Sequence, residues 1–297
     1  MADDFWGGLD IPSTGGSGYV NQNSALGATP DLADLDIRLV KRAMVVFFVV
    51  DVSGSMRGAR IGAVNDAIRN LLPELKKKEA TNTSAQIKIA ILEFSGRAQW
   101  KTPSPQPVSD FIFHDIEVSQ SGGTNYGAAF EQLNEKMSSK EFLNSASGSY
   151  TPLVIFLTDG KPSDIGLYPE QLEKLRHNTW FNYATKVAIA IEKDAADPAC
   201  RKALIAFTGN EKMVLEAKDT NILAKQIELV TATGINTVTK QGSMQNSGAA
   251  VNTGVKAANA AQNPVPAVSP APKADPAVDP SIPGLSDIDW TKSFPTF

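Results

Sequence analysis

Met44-Val45-Val46-Phe47-Phe48-Val49-Val50-Asp51-Val52-Ser53-Gly54-Ser55 is the stretch on which the fold turns. Its first part is an unbroken run of β-branched, aromatic and thioether side chains, far too short to span a bilayer. A run of this kind without polar alternation predicts a strand buried on both faces, as in a parallel sheet covered by helices on each side. The run ends at a carboxylate. Asp51-x-Ser53-x-Ser55 then sets three oxygen-bearing side chains at alternate positions, which an extended loop turns to one side.

The pattern repeats outward from there. Ile61, Val64, Ile68, Leu71, Leu72 and Leu75 are spaced as one face of a helix, although Pro73 inside it predicts a kink or an early end. Residues 87–94 read as a second strand, Ala98 to Lys101 as a short edge strand, and Phe111 to Val118 as a lead-in segment. Tyr126, Phe130, Leu133 and Met137 share one side of a helix, and Leu153 to Leu157 form another buried strand. A helix around Glu170 to Leu175, a strand at 186–191, a helix near Cys200 to Phe207, a short strand at 213–215 and a helix from about Ile222 to Val230 follow. Strands separated by helices predict an α/β fold with an open, mostly parallel, doubly wound sheet and helices on both faces.

Composition divides the chain into three zones. Residues 1–39 are rich in Gly, Ser, Asn and Asp, residues 40–238 carry the periodic elements, and residues 239–297 turn to Ala, Asn, Val and Pro. Both ends read as flexible segments with too little apolar surface to offset the entropy of ordering them. Aromatic residues nevertheless return at the extremities, at Phe5 and Trp6 and at Trp290, Phe294 and Phe297. The C-terminal three are candidates for a short docking peptide; the plainer reading is that they pack back on the chain or do nothing.

The formal net charge is −4, and the densest basic run, Lys76-Lys77-Lys78, falls at the end of a predicted helix, where cations meet exposed carbonyls. This gives nucleic-acid binding no support. One cysteine, Cys200, excludes an internal disulfide and reads as a buried structural thiol. The acidic start lacks a signal peptide's basic and apolar regions. The expectation is a cytoplasmic protein with no membrane span.

In open α/β sheets, ligands gather beyond the carboxyl ends of the strands. Three polar clusters stand at such places: Asp51-Val52-Ser53-Gly54-Ser55, Ser121-Gly122-Gly123-Thr124-Asn125 and Thr158-Asp159-Gly160. Carboxylate and hydroxyl oxygens are hard ligands, suited to Mg²⁺, Mn²⁺ or Ca²⁺. Neither His114 nor His177 has a partner at zinc-ligand spacing. Each residue also has a plainer use, since Asp51, Ser53 and Thr124 are of the types that cap helices and Asp159 suits an Asx turn with Gly160.

Taken together, Asp-x-Ser-x-Ser after a buried strand, Thr in Gly-Gly-Thr, and Asp in Thr-Asp-Gly after a later strand resemble the metal-ion-dependent adhesion site of von Willebrand factor A domains. All five positions of that site are filled, by Asp51, Ser53, Ser55, Thr124 and Asp159, and the resemblance spans about residues 40–238. Within the family, 53–58, 122–124 and 157–162 are most similar to bacterial TerY-like proteins, associated with tellurite resistance and stress response. The resemblance implies a binding or scaffold module. In the family pattern the hydroxyls touch the ion and the two Asp act largely through water, which leaves room for a partner's carboxylate or phosphate. It also implies a Ser/Thr kinase and a PP2C-type phosphatase as companions. A metal-assisted hydrolase is the alternative, and a structural protein with a vestigial site a third; no Gly-x-Ser-x-Gly elbow, P-loop or spare base stands in these loops.

Overall fold

The computed structural model describes residues 41–120, 122–192 and 197–241. Ser121, the segment 1–39 and the aromatic residues Trp290, Phe294 and Phe297 lie outside the described residues.

The Val/Phe run forms β1, Arg42–Asp51, and its alternate side chains serve two different cores. Met44, Val46, Phe48 and Val50 join one apolar cluster, while Val45, Phe47 and Val49 join the other. Helix α1, Ala59–Thr81, covers the first face together with α6, Thr220–Gln241. The second face is covered by α2 (Tyr126–Lys136), α3 (Tyr168–Arg176), α4 (Thr179–Tyr183) and α5 (Pro198–Thr208). A strand with no solvent face has no use for polar alternation, which is why β1 is written as a continuous apolar run.

The described strands form a seven-stranded sheet. β2 (Ala85–Phe94) and β5 (Leu153–Thr158) flank β1 in parallel, β6 (Thr185–Ile191) lies beside β5, and β7 (Val214–Ala217) closes that side. On the other edge, β3 (Ala98–Trp100) and β4 (Gln106–Pro107) both pair antiparallel with β2. The order β3-β2-β1-β5-β6-β7 is the doubly wound sheet expected from the sequence. The chain leaves β1 toward β2 and leaves β5 toward β6, in opposite directions. The carboxyl ends of β1 and β5 therefore mark the switch point of the sheet, the place where open α/β sheets bind ligands.

Two elements differ from the sequence reading. Pro73 does not end α1, which runs on to Thr81. Pro73 faces solvent while Leu71, Leu72 and Leu75 are buried, so water can serve the carbonyl that proline leaves without a donor. The Phe111 to Val118 lead-in segment is neither strand nor helix; Phe111 and Ile116 in it are buried, and Asn65 exchanges two hydrogen bonds with the backbone of Ile116. The last helix is far longer than its apolar signature, because α6 continues past Val230 to Gln241. Among the described residues, no helix is long and apolar enough to cross a membrane.

Candidate metal centre

β1 delivers Asp51 at its last position, and the short 3-10 turn Gly54–Met56 folds the chain back at once. Asp51 Oδ1 accepts the Ser53 N–H at 2.8 Å, which sets the loop, and Oδ2 accepts the Thr158 hydroxyl at 2.6 Å from the neighbouring strand. Ser53 Oγ and Ser55 Oγ lie 3.0 Å apart. Ser55 Oγ then donates to Asp159 Oδ1 at 2.7 Å, closing a link across 104 residues of sequence. Four of the five expected residues are thus one hydrogen-bonded cluster beyond the carboxyl ends of β1 and β5.

Thr124 comes in from the second face. Its N–H donates to Ser163 Oγ at 2.9 Å and its carbonyl accepts the Ser163 N–H at 3.0 Å. Its Oγ1 lies 4.0 Å from where a Cβ on Gly160 would stand, beside the residue that follows Asp159. The fifth residue therefore borders the cluster with its hydroxyl.

The helix-capping alternatives find no support at these positions. Ser53 precedes the 3-10 turn without a side-chain capping bond, and the N-cap of α1 is Gly58, at φ 86°. Asn125, not Thr124, precedes α2 and makes no capping bond of its own. The cap comes from elsewhere: Asp164 Oδ1 accepts the Tyr126 N–H at 3.1 Å and Oδ2 accepts the Gly127 N–H at 2.7 Å. At Gly160 the turn is served by Thr158, whose Oγ1 accepts the Gly160 N–H at 3.3 Å, and not by Asp159.

The electrostatics suit a cation. Asp51 and Asp159 are 0% and 1% exposed. Burial pushes the Asp51 carboxyl up from 3.8 to about 6, against the hydrogen bonds from Thr158 and Ser53 that lower it, and the nearby Asp159 charge adds to the rise. Such a group gains from a positive charge at its side. All five side chains offer hard oxygen, and among the described residues no group of three or more His, Cys, Asp or Glu makes a softer or denser site. Asp51, Ser53, Ser55, Thr124 and Asp159 thus offer an oxygen set of the kind that suits a hard divalent ion. Ser55 is exposed, which opens the cluster outward on that side.

Several residues of this centre escaped the sequence reading. Arg60 donates from Nη1 to Asp159 Oδ2 at 2.7 Å and is held from behind by Glu192. Tyr126 donates to the Gly160 carbonyl at 2.7 Å, and the Cys200 thiol donates to the same oxygen at 3.3 Å. Burial raises the Tyr126 phenol well above its usual value and the Cys200 thiol to about 11, so both remain protonated donors. Tyr126 and Cys200 look in sequence like ordinary apolar-face residues of two helices; only the meeting of α2, α5 and the β5 loop gives them this task.

The described residues thus form an open, doubly wound α/β sheet with a cluster of oxygen-bearing side chains at its switch point. Residues 46–161 match the family model of the von Willebrand factor type A domain. The chain is similar to "Inter-alpha-trypsin inhibitor heavy chain H4" of Sus scrofa, at 30% identity over 135 residues, 43% of this chain and 14% of that protein. The chain thus aligns with about one-seventh of that curated relative's length. Among solved structures, "von Willebrand factor type A from Catenulispora acidiphila" aligns at a TM-score of 0.47 and 17% identity, over 65% of this chain and 42% of that one. The mussel byssus protein "proximal thread matrix protein 1 (PTMP1)", described "with zinc occupied MIDAS motif", aligns at 0.46 and 17%, over 65% and 45%.

Proposed function

We propose that this chain is a divalent-cation-dependent protein-binding module and not an enzyme. Asp51, Ser53, Ser55, Thr124 and Asp159 hold the ion, and an acidic side chain or phosphate of a protein partner completes its shell. The observation that carries this reading is the 2.7 Å hydrogen bond from Ser55 Oγ to Asp159 Oδ1, which joins two distant loops into one oxygen-donor cluster. Mg²⁺ is the ion we assign, with Mn²⁺ and Ca²⁺ as chemical equivalents. A nearly neutral inner shell of hydroxyls leaves the ion enough field to attract an anion from outside.

A hydrolase using the same ion needs a base beside it. Glu192, which reaches this rim through Arg60, is taken by the guanidinium at 2.7 Å. That favours binding over hydrolysis. The TerY-like segments 53–58, 122–124 and 157–162 point to a cytoplasmic bacterial system of tellurite or stress response, with a Ser/Thr kinase and a PP2C-type phosphatase as partners. The Trp290, Phe294 and Phe297 segment is proposed as a secondary docking element.

Calorimetric titration of the full chain with Mg²⁺ and Mn²⁺ tests the reading, beside an Asp51→Ala variant. Saturable binding to the wild type that Asp51→Ala abolishes is the expected result. Partner capture from the native cell, repeated with a chelator, should lose the same partners. Capture unchanged by the chelator sinks the mechanism.

A further inference from the structure

We propose that Arg60 is a resident cation of the metal centre that holds its ion affinity down, and that Glu192 sets how far. The inference rests on the metal-dependent reading above. Arg60 stands in the first turn of α1 with its side chain 23% exposed. Its Nη1 donates both to Asp159 Oδ2 at 2.7 Å and to the Ser55 carbonyl at 3.0 Å. The other two nitrogens of the fork, Nε and Nη2, lie 2.8 and 2.7 Å from Glu192 Oε2. One guanidinium therefore connects a proposed ligand to a carboxylate outside the ligand set. Its planar shape means that leaving Asp159 disturbs the other contacts too.

Glu192 supplies an independent sign that this pair is built for a purpose. It follows β6 directly and has φ 57°, the left-handed region that residues bearing a side chain seldom enter. Its N–H is tied to the Ala217 carbonyl at 2.7 Å, so the unusual backbone is held from one side while the carboxylate grips Arg60 on the other. Strained backbone of this kind persists where the surroundings fix it, and it gathers at sites that do work.

The consequence is electrostatic. An ion among these five side chains shares Asp159 with a fixed positive charge, and Arg cannot relieve the repulsion by losing a proton. Next to buried carboxylates such a charge is poorly screened by water. Ion affinity is therefore lower than two unshared carboxylates would give, and the missing negative charge is what a partner's anion brings. Ion and partner then reinforce each other's binding. Glu192, in direct contact with the guanidinium, cancels part of its field.

The two charges predict opposite effects. In the full chain, Arg60→Gln removes the cation but keeps a donor, and Mg²⁺ or Mn²⁺ alone should bind about tenfold tighter by calorimetry. Glu192→Gln leaves Arg60 uncompensated, and the same ions should bind about threefold weaker. Thermal unfolding is recorded alongside, because a purely structural pair weakens the site in both variants. Equal or weaker binding by folded Arg60→Gln overturns the inference, and so does Glu192→Gln with unchanged or tighter binding. If Arg60→Gln fails to fold, Glu192→Gln decides through both readouts together: weaker ion binding at an unchanged unfolding midpoint supports the inference, and weaker binding with a lowered midpoint overturns it. A wild type that takes neither ion overturns the metal-dependent reading itself, and this inference with it.

Discussion

The segments Asp51–Ser55 and Gly122–Asn125 carry the proposed ligands of one centre, yet they are held in place by different means. The first has bonds of its own besides those to Phe94, Thr158 and Asp159: Ser53 N–H bonds back to Asp51, Met56 N–H bonds back to the Ser53 carbonyl at 3.0 Å, and the two serine hydroxyls meet. The second borrows its shape from other loops. Asn125 donates its N–H to the Ser95 carbonyl at 2.8 Å and its Nδ2 to the Gly96 carbonyl at 3.0 Å, while Ser163 and Asp164 hold Thr124, Tyr126 and Gly127. A ligand loop with bonds of its own should respond to changes in its own residues. A borrowed one should respond to residues far away in sequence.

The largest effect is expected at Asp51, and its sign is unusual. Because the folded carboxyl titrates near 6 and not 3.8, folding favours its protonated form. In metal-free protein the penalty is absent below about pH 4, grows as pH rises through 6, and stays constant above. By linkage it reaches on the order of 2–3 kcal/mol at neutral pH. Asp51→Asn keeps an acceptor for Ser53 N–H, and Thr158 Oγ1 can turn its proton to the Gly160 carbonyl 3.2 Å away. Metal-free Asp51→Asn should therefore be the more stable protein above pH 7 in urea unfolding, while it loses ion binding. In the wild type, ion affinity should fall as pH drops below 6, where a proton takes the ion's place. A destabilised Asp51→Asn at pH 8 would show that burial does not dominate at this carboxylate.

Next comes the borrowed loop. Asp164→Ala deprives the Tyr126 and Gly127 N–H groups of a charged acceptor at the start of α2, a loss of about 1.5–2 kcal/mol. Gly127 shows how closely that acceptor is seated: a Cβ there would lie 2.7 Å from Asp164 Oδ2 and 3.3 Å from the Tyr168 Cα. The helix start is built around the carboxylate. If the comparison holds, Asp164→Ala also weakens ion binding, although Asp164 is not a proposed ligand, because Thr124 depends on the 163–164 segment. Unfolding curves and ion titration on the same variant check both halves; lost stability with untouched ion affinity would separate Thr124 from its clamp.

The same contrast explains what the sequence disclosed. β1, β2, β5 and β6 were legible because apolar runs and their periods are local properties, and Asp51, Ser53, Ser55 and Asp159 because each stands within a few residues of a strand end. Asp164 was not. Ser163-Asp164 lies a few residues before α3, so a local reading assigns any capping to that helix, whereas the carboxylate serves α2 thirty-seven residues earlier in the chain. Arg60 reads as one more polar residue on the outer side of α1, since neither Asp159 nor Glu192 is near it in sequence. Pro73 was misleading for a related reason. Its cost depends on what surrounds the carbonyl it leaves unbonded, and the sequence shows the proline without that surrounding.

The smallest effect on folding is expected at Thr124 itself, and there the two readings of this residue part. Asn125 is the N-cap of α2 and Asp164 supplies the capping bonds, so the Thr124 hydroxyl contributes little to the helix. Its backbone contacts with Ser163 survive any side-chain change. Thr124→Ala should shift unfolding by about 0.5 kcal/mol or less, within the range of surface substitutions. Its ion-dependent partner binding, measured on the captured partner, should nevertheless weaken several-fold, about 1 kcal/mol by the usual conversion. Equal losses in folding and binding would return Thr124 to the role of a helix cap and leave the centre with four ligands instead of five.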